Sequence, residues 1–302
     1  MTTSPQTKSI LYSLAAVLLW STVATTFKLT LEGMNFVQLL FYSSFFATIA
    51  LFVIAMSTKR TIMRKQFSAN YFTKNVLLGF LNPFFYYLVL FKAYSILPAQ
   101  EAQPLNYTWP ITISIFSVIF LKQKVSIKTI IGLLVAFIGV YVIACRGVVF
   151  PIHFQNPFGV LLAVGSSIIW AVFWTLNMID ERENSIKLFG SFYFGTIITA
   201  IYIIFFDSFH LSNYNYLLGA LYIGLFEMGI TFFLWMKGLQ LSKNKTKTST
   251  LAYLSPFISM LFISLILKEK ILLSSLIGLV LIIGGILFQQ LEGKFKKNKQ
   301  QG

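Results

Sequence analysis

The chain has 302 residues, of which 57% are apolar and only 11% are charged. Soluble domains carry about 25% charged residues, so this composition excludes an ordinary soluble domain and indicates an all-α integral membrane protein. The net charge of +15 would favour nucleic-acid binding in a soluble protein. Here the cations lie beside apolar runs, so they indicate membrane topology and argue against a nucleic-acid partner.

Ten apolar runs are long enough, at about 20 residues, to be spanning helices, and only short loops remain between them. The first run follows Lys8 and resembles a cleaved signal peptide. Because it has a partner later in the chain, we expect it to remain as a spanning helix. The predicted spans are 9–27, 36–56, 76–97, 99–121, 126–145, 157–176, 186–206, 214–237, 246–267 and 272–291.

The spans form two related sets of five, which predicts two repeats, residues 1–146 and 147–302. In the third and eighth spans, Asn82 falls on Glu227 without a gap. The other informative matches are Trp20 with Trp170, Tyr107 with Tyr253, Pro110 with Pro256, Gly132 with Gly278 and Gly139 with Gly285. Because five is an odd number, the second set must enter the membrane from the opposite side. The sequence therefore predicts an inverted repeat, as in many secondary transporters.

The Lys and Arg residues are distributed unevenly between the two sides of the membrane. With the first residue in the cytoplasm, 18 of the 24 fall in cytoplasmic segments, and four fall in outside loops: Lys28, Arg146, Lys268 and Lys270. Lys and Arg are retained on the cytoplasmic side. The pattern therefore predicts a multi-pass protein of the cell inner (cytoplasmic) membrane with both termini in the cytoplasm.

Glu227 is the most informative polar residue, because it lies inside the eighth predicted span. An ionised side chain at the bilayer centre costs about 2.5–3.5 kcal/mol on insertion scales. A carboxyl there either stays protonated and bonds a neighbouring helix, or faces a polar cavity. Thr231 is one helical turn further on and shares the predicted face. We favour the second interpretation, in which Glu227 binds substrate or a coupling proton.

Asn82 occupies the equivalent position in the third span and precedes Pro83, which interrupts helical hydrogen bonding. A broken helix near the midplane is a known way to form a binding site. Proline is also common in membrane helices, so the two interpretations of this segment remain equally open.

The fourth span places Gln100, Gln103, Tyr107 and Pro110 on one face at helical spacing. Amide and aromatic groups together could bond the polar head of a small metabolite and stack against its apolar part. The alternative is an interfacial helix end, with its aromatic residues in the headgroup belt.

Three further aromatic residues are candidates for a cavity wall. Trp20 and Trp170 lie in mid-span, away from the headgroup level where aromatic belts occur, and there cavity lining and plain packing are equally open. Tyr253 is the second-half counterpart of Tyr107.

The residue types argue against a metal site or an enzyme. The single Cys145 excludes a disulfide framework and a multi-cysteine metal site within one chain. The two histidines, His153 and His210, are isolated, and the sequence contains no zinc-protease, P-loop or serine-hydrolase motif. We therefore expect no metal, no cofactor and no catalytic residue.

The ten spans, the duplication and the proline followed by Leu-Lys-Glu-Lys resemble the drug/metabolite transporter superfamily, and within it the EamA-type transporters. That family's repeat ends with an apolar helix holding a proline, then a Gly-Glu-like turn and a Gly-spaced helix. Pro256, Glu269, Gly278 and Gly285 match this pattern in the second half. The first half departs from it at Gln123, where the glutamate would be, so we assign that turn no role in transport.

The resemblance implies a carrier with spans one, three, four, six, eight and nine around a central cavity, and alternating access by rocking of the halves. The segment from Glu101 to Pro110 also looks like the corresponding helix of aromatic amino acid exporters. The candidate substrate-binding residues are Trp20, Asn82, Gln100, Gln103, Tyr107, Trp170, Glu227, Thr231 and Tyr253.

The sequence thus predicts a secondary transporter that exports small metabolites, such as amino acids, across the cytoplasmic membrane with protons as the coupling ion. Its expected partners are a small-molecule substrate and the lipid bilayer, and its expected state is a monomer or a homodimer. Two alternatives remain: an intramembrane lipid-modifying enzyme, or a transporter of another solute class such as nucleotide sugars or drug-like cations.

Overall fold

The computed structural model describes residues 4–56, 71–112, 115–116, 127–148, 156–243, 248 and 250–299. Most of the predicted fourth span beyond residue 112, the start of the predicted ninth span, the turn at Gln123 and part of the predicted boundary between the repeats lie outside these residues. All regular structure within the described residues is helical. The predicted all-α membrane protein is therefore confirmed at the level of fold class.

The described helices follow the apolar runs in chain order. They are α1 (Pro5–Leu31), α2 (Phe36–Met56), α3 (Phe72–Ile96), α4 (Ala99–Asn106), α5 (Ile127–Ala144), α6 (Pro157–Ile179), α7 (Asn184–Phe206), α8 (Tyr214–Leu241), α9 (Thr250–Ile266) and α10 (Leu273–Lys299). By length and composition, α1, α2, α3, α6, α7 and α8 can each cross a membrane, and α5, α9 and α10 contain shorter apolar helices. Ten complete spans remain a prediction.

The first helix of each predicted repeat begins in the same way. The Ser4 hydroxyl accepts from the Thr7 N–H at the start of α1, and the Asn156 side chain accepts from the Gly159 N–H at the start of α6. A proline follows each cap, where its missing N–H removes no intrahelical bond. The two ends are therefore fixed locally by sequence rather than by distant packing.

The helices pack in reciprocal pairs. α2 packs against α7 and α5 against α10, which are pairs of helices that the predicted repeats would make equivalent. α1 packs against α8, and α3 packs against α6, so the first helix of each half contacts the third helix of the other. The result is a bundle in which α1, α3, α6 and α8 meet near the centre.

Glycines bring α5 and α10 close together. A Cβ added at Gly139 would lie 2.6 Å from the carbonyl oxygen of Gly278, and one added at Gly285 would contact the carbonyl oxygen of Gly132. Small residues at such crossings allow close backbone approach within a membrane. These are the four glycines that the duplication pairs in sequence.

Two helices of the bundle contain a π-helical turn, α3 over Phe80–Phe85 and α8 over Gly224–Gly229. The turn in α3 includes a cis Asn82–Pro83 peptide bond and a non-helical backbone at Asn82. A π turn widens the helix locally and frequently occurs at functional sites. Both turns coincide with the predicted pair Asn82 and Glu227.

Candidate functional site

A cavity of about 680 Å³ lies among six helical segments: α1, α3, α4 with the residues that follow it up to Pro110, α6, α8 and α9. The start of α7 forms one edge of the cavity. Pockets for small molecules commonly have volumes of about 300–1,000 Å³, so this cavity could hold a metabolite. Six of the nine candidate residues lie in its wall: Trp20, Gln103, Tyr107, Trp170, Glu227 and Tyr253.

The structure places Glu227 in the π turn of α8, with its side chain partly exposed and in the cavity wall. The Tyr87 hydroxyl donates to the Oε1 atom of Glu227 at 3.0 Å. Tyr87 itself is fully buried in α3. A tyrosine of α3 therefore holds the carboxyl of α8 by a hydrogen bond.

Aromatic side chains from several helices line the cavity together with Glu227. The Trp20 ring lies 5.3 Å from that of Trp235 and 6.1 Å from that of Phe232. Trp170 continues this surface, with ring centroids 5.6 Å from Phe232 and 4.6 Å from Tyr86. Trp20, Trp235, Trp170 and Tyr86 all line the cavity. The wall thus joins α1, α8, α6 and α3 through stacked and edge-on ring contacts.

Two buried amides in the wall retain an unpaired polar atom. The Oε1 atom of Gln103 and the Nδ2 atom of Asn177 have no hydrogen-bond partner, and both side chains are at most 4% exposed. The nearby Asn106 is satisfied, because it accepts from the Tyr86 hydroxyl and donates to Ser166. Buried polar groups are normally paired, so these two unpaired atoms stand out among the polar groups of the wall.

Three candidate residues lie outside the described cavity wall. Asn82 is completely buried, and neither polar atom of its side chain has a partner. Thr231 is also completely buried, and its hydroxyl donates to the carbonyl of Phe226 within the same helix. Gln100 donates to the carbonyl of Lys270 at 2.9 Å and accepts from the N–H of Leu272 at 2.7 Å.

Polar contacts join the helices at one end of the cavity, where α4 begins. Glu269 accepts from the backbone N–H groups of Ala99 at 3.1 Å and Gln100 at 3.4 Å. Beside them, the Nε atom of Arg146 donates to the Oε1 atom of Glu101 at 2.7 Å. A carboxylate is favoured at a helix N-terminus, where N–H groups have no intrahelical partner. These contacts fasten the α9–α10 connection to α4 and close this end.

The opposite end, at the connection between α6 and α7, contains a buried ion pair. Arg182 donates to the Oδ2 atom of Asp180 at 2.7 Å and to Asn75 at 2.7 Å, and Lys74 lies 3.4 Å from Asp180. Burial raises the pKa of Asp180, but the hydrogen bonds and charges of Arg182 and the charge of Lys74 outweigh it and lower the pKa below its ordinary value. The pair contributes stability that is complete above about pH 4 and is lost as the pH falls through the lowered value.

Lys187 lies at this same end and is the one cationic side chain among the described residues of the cavity wall. Its Nζ atom donates to the carbonyl oxygens of Asn177 at 2.9 Å and Asp180 at 3.0 Å. The cation thus connects the end of α6 to the start of α7. The cavity wall extends from Glu227 to this end of the bundle.

Several residues of this wall were not predicted from the sequence to line a cavity: Tyr86, Tyr94, Asn106, Trp174, Asn177 and Lys187. The contact of Tyr87 with Glu227 was not predicted either. Two adjacent tyrosines inside a spanning helix were a usable signal, because each hydroxyl needs a partner away from water. No three His, Cys, Asp or Glu side chains of the described residues are grouped so that they could hold a metal ion.

Comparison with known proteins gives a consistent result. The model of the EamA-like transporter family matches the chain twice, over residues 7–145 and 157–289. The uncharacterized transporter YvbV of Bacillus subtilis is 28% identical over 205 residues, which cover 67% of this chain and 66% of that protein. The uncharacterized transporter YoaV of the same species is 21% identical over 287 residues, which cover 92% and 95% of the two chains.

A solved crystal structure has the same fold, with a TM-score of 0.67 at 20% identity, and the match covers 95% of this chain and 98% of the other. At that identity the likeness shows the fold alone. The family model, by contrast, matches both halves of the sequence. The chain therefore belongs to the EamA-like transporter family of the drug/metabolite transporter superfamily.

Proposed function

We propose that the protein is a secondary transporter that exports small metabolites, amino acids among them, across the cytoplasmic membrane without ATP. In this proposal the substrate occupies the central cavity, and Glu227 contacts it or carries the coupling proton. The observation that carries the proposal is the placement of a partly exposed glutamate in the wall of a cavity within the helix bundle, among many aromatic side chains. Ionisable residues inside spanning helices commonly mark substrate or ion pathways.

The difference between the two ends of the cavity supports alternating access. The end at α4 is fastened by Glu269 and by the pair of Arg146 with Glu101. The wall reaches the other end at Asn177 and Lys187. With both termini in the cytoplasm, the fastened end faces outside, and the wall formed by the described residues reaches the cytoplasmic side. Export then requires the contacts of Glu269 to break when the cavity opens outward.

The reciprocal helix packing supports a transporter built from two inverted repeats, with the boundary near residues 146 and 147. A two-fold axis in the membrane plane would pair α2 with α7 and α5 with α10, and it would make the contact of α1 with α8 equivalent to that of α6 with α3. The observed packing has this pattern. In such transporters, substrates bind near the midplane at the interface of the repeats.

The lining residues favour a carrier over the alternative of an intramembrane enzyme. Enzymes that use acid–base chemistry on a buried substrate commonly pair two carboxyl groups. Glu227 is the one carboxylate among the described residues of the cavity wall. Its observed partner is the Tyr87 hydroxyl, which suits binding better than proton shuttling to a bound lipid.

Transport by the purified protein tests the proposal directly. Proteoliposomes without ATP would be loaded with a panel of labelled metabolites that includes amino acids, and exchange would be followed with and without a pH gradient. We expect saturable exchange of at least one panel member. Ala24→Leu, which adds volume to the cavity wall, should reduce that exchange at least tenfold.

The matched control is Leu18→Phe on the same helix, at a side chain that is 55% exposed on the bundle surface. This variant should retain wild-type exchange. The elution volume on size exclusion would show that both variants are folded. Equal exchange in the wild type, Ala24→Leu and empty liposomes would overturn the proposal.

A further inference from the structure

The polar groups of the cavity are segregated by charge along its length. Glu227 lies in the middle of α8, about 20 Å of helix from the end at Leu241 at 1.5 Å per residue. Lys187 lies within one turn of the start of α7, at the end of the bundle beside Asp180. The carboxylate therefore has no cationic neighbour at its own depth among the described residues of the wall.

We infer that the substrate is an organic amine with one positive charge and an apolar or aromatic body, whose ammonium group contacts Glu227. The inference rests on the proposed transport function. It narrows the substrate from small metabolites in general to amines that lack the carboxylate of a free amino acid. A free amino acid carries its carboxylate on the same carbon as its ammonium group. That carboxylate would lie beside Glu227 without a cationic partner, and an unpaired charge in a desolvated site is strongly disfavoured.

Glu227 and other groups of the wall have free acceptor sites, which suit a ligand that donates hydrogen bonds. Tyr87 occupies the Oε1 atom of Glu227, and an ionised carboxylate has about four lone-pair sites, so the group can accept further bonds. The same wall contains the Oε1 atom of Gln103, an acceptor that has no partner. An ammonium group offers up to three N–H donors and no acceptor. Hydrogen bonds between an ammonium group and a carboxylate are among the stronger ones in proteins.

The aromatic wall suits the rest of such a ligand. Trp20, Trp235, Trp170 and Tyr86 form a connected surface in the same cavity. Aromatic faces attract cations, tryptophan most strongly, and the attraction rises when water is excluded. The same faces bury an apolar body. A cation with a ring or alkyl chain therefore uses both the charge and the apolar area of this site.

The one cation among the described residues of the wall is located away from the carboxylate. Lys187 is committed to two carbonyl oxygens, and the unpaired Nδ2 atom of Asn177 lies on the last turns of α6, near Lys187. A substrate anion would be drawn to that end rather than to Glu227. The arrangement thus discriminates by charge between an amine and its carboxylated analogue.

Equilibrium binding of three ligands with the same phenyl ring tests the inference. Phenethylamine is a cation at pH 7, L-phenylalanine is a zwitterion and 3-phenylpropionate is an anion. Binding to the purified full-length protein would be measured by tryptophan fluorescence and calorimetry, which avoids leakage of the amine through liposomes. We expect phenethylamine to bind at least tenfold more tightly than either analogue, and Glu227→Gln to remove that preference.

The same substitution at Glu32, an exposed residue after α1 that does not line the cavity, is the control and should bind as the wild type does. Tighter binding of phenylalanine, or equal binding of phenethylamine to the wild type and Glu227→Gln, would overturn the inference. If metabolite exchange persists with either result, the transport proposal stands and only the substrate class is wrong. If no panel member is exchanged, the transport proposal itself fails.

Discussion

The third helix of each half, α3 and α8, contains the same backbone irregularity in two different surroundings. Both have a π-helical turn, at Phe80–Phe85 and Gly224–Gly229. A Cβ added at Gly79 would lie 2.5 Å from a carbonyl oxygen of α7, and one added at Gly224 would lie 2.5 Å from a carbonyl oxygen of α2. A π turn and a close approach to a neighbouring helix are thus common to α3 and α8, whereas the cis peptide bond occurs in α3.

The polar side chains in the two turns differ in what they face. Asn82 is enclosed, with neither polar atom paired, while Glu227 is partly exposed in the cavity wall and bonded to Tyr87. In α3, Pro83 packs closely against Gly195 of α7. The turn in α3 therefore lies within the helix packing, whereas the turn in α8 contributes Glu227 to the cavity wall.

Replacing Glu227 by Gln tests whether the carboxyl in the α8 turn acts in transport. This substitution should reduce substrate flux more than any other change below. Glutamine keeps the size of the side chain but cannot carry a charge or a coupling proton. We expect the variant to fold and to lose at least tenfold of its substrate flux, together with any response to a pH gradient. Initial rates in proteoliposomes measure both. Unchanged gradient-driven flux would contradict the functional difference between the two turns.

Alanine at Gly79 or at Gly224 tests the helix packing at the two turns. We expect the two substitutions to have similar effects. Each added methyl group would clash with the backbone of a neighbouring helix, and overpacking costs about 1–3 kcal/mol. We expect similar losses of thermal stability in detergent for the two variants. Loss in only one of them would show that the close approaches are not equivalent. Gly165→Ala is the control, because nothing lies within 4 Å of its added Cβ.

Removal of the Tyr87 hydroxyl should have a moderate effect. Tyr87→Phe deletes the donor to Glu227 and leaves the ring in place, and one hydrogen bond contributes about 1 kcal/mol. We expect an approximately fivefold rise in KM with little change in folding. Tyr202→Phe, on α7 beside Phe84 and outside the cavity wall, should leave KM unchanged. An equal effect of both substitutions would argue against a specific role of Tyr87.

Replacement of Asn82 by leucine should have the smallest effect on transport. The substitution removes two buried polar atoms that have no partner, and an apolar group of similar shape at such a position can be neutral or stabilising. We expect flux within about twofold of wild type and an unchanged or higher melting temperature. Loss of flux in a folded Asn82→Leu protein would instead support the substrate contact that the sequence predicts.

The sequence was sufficient to predict the helical membrane fold, because long apolar runs cannot be accommodated otherwise in a bilayer. It also identified Glu227, since an ionisable residue within such a run is rare. The alignment of Asn82 with Glu227 was predicted as well, because Asn and Glu are uncommon in an apolar helix, and both residues lie in π turns. None of these conclusions depends on how the helices pack.

The positions of Thr231 and Gln100 could not be predicted from local spacing. A spacing of four residues puts Thr231 on the face of Glu227 in a regular α-helix, but the π turn between them changes the register, and the hydroxyl bonds the carbonyl of Phe226. Gln100 is held by Lys270 and Leu272. A partner about 170 residues away leaves no trace in a helical pattern.

The central claim is that the substrate occupies the cavity beside Glu227, and cysteine protection tests it most directly. In a Cys145→Ser background, Ala24→Cys places a thiol in the cavity wall, and Ala55→Cys places one in the packed interior of α2. We expect a small thiol reagent to modify the first variant faster than the second, and phenethylamine to slow the modification of the first. Modification of Ala24→Cys at the same rate with and without a transported ligand would contradict the account.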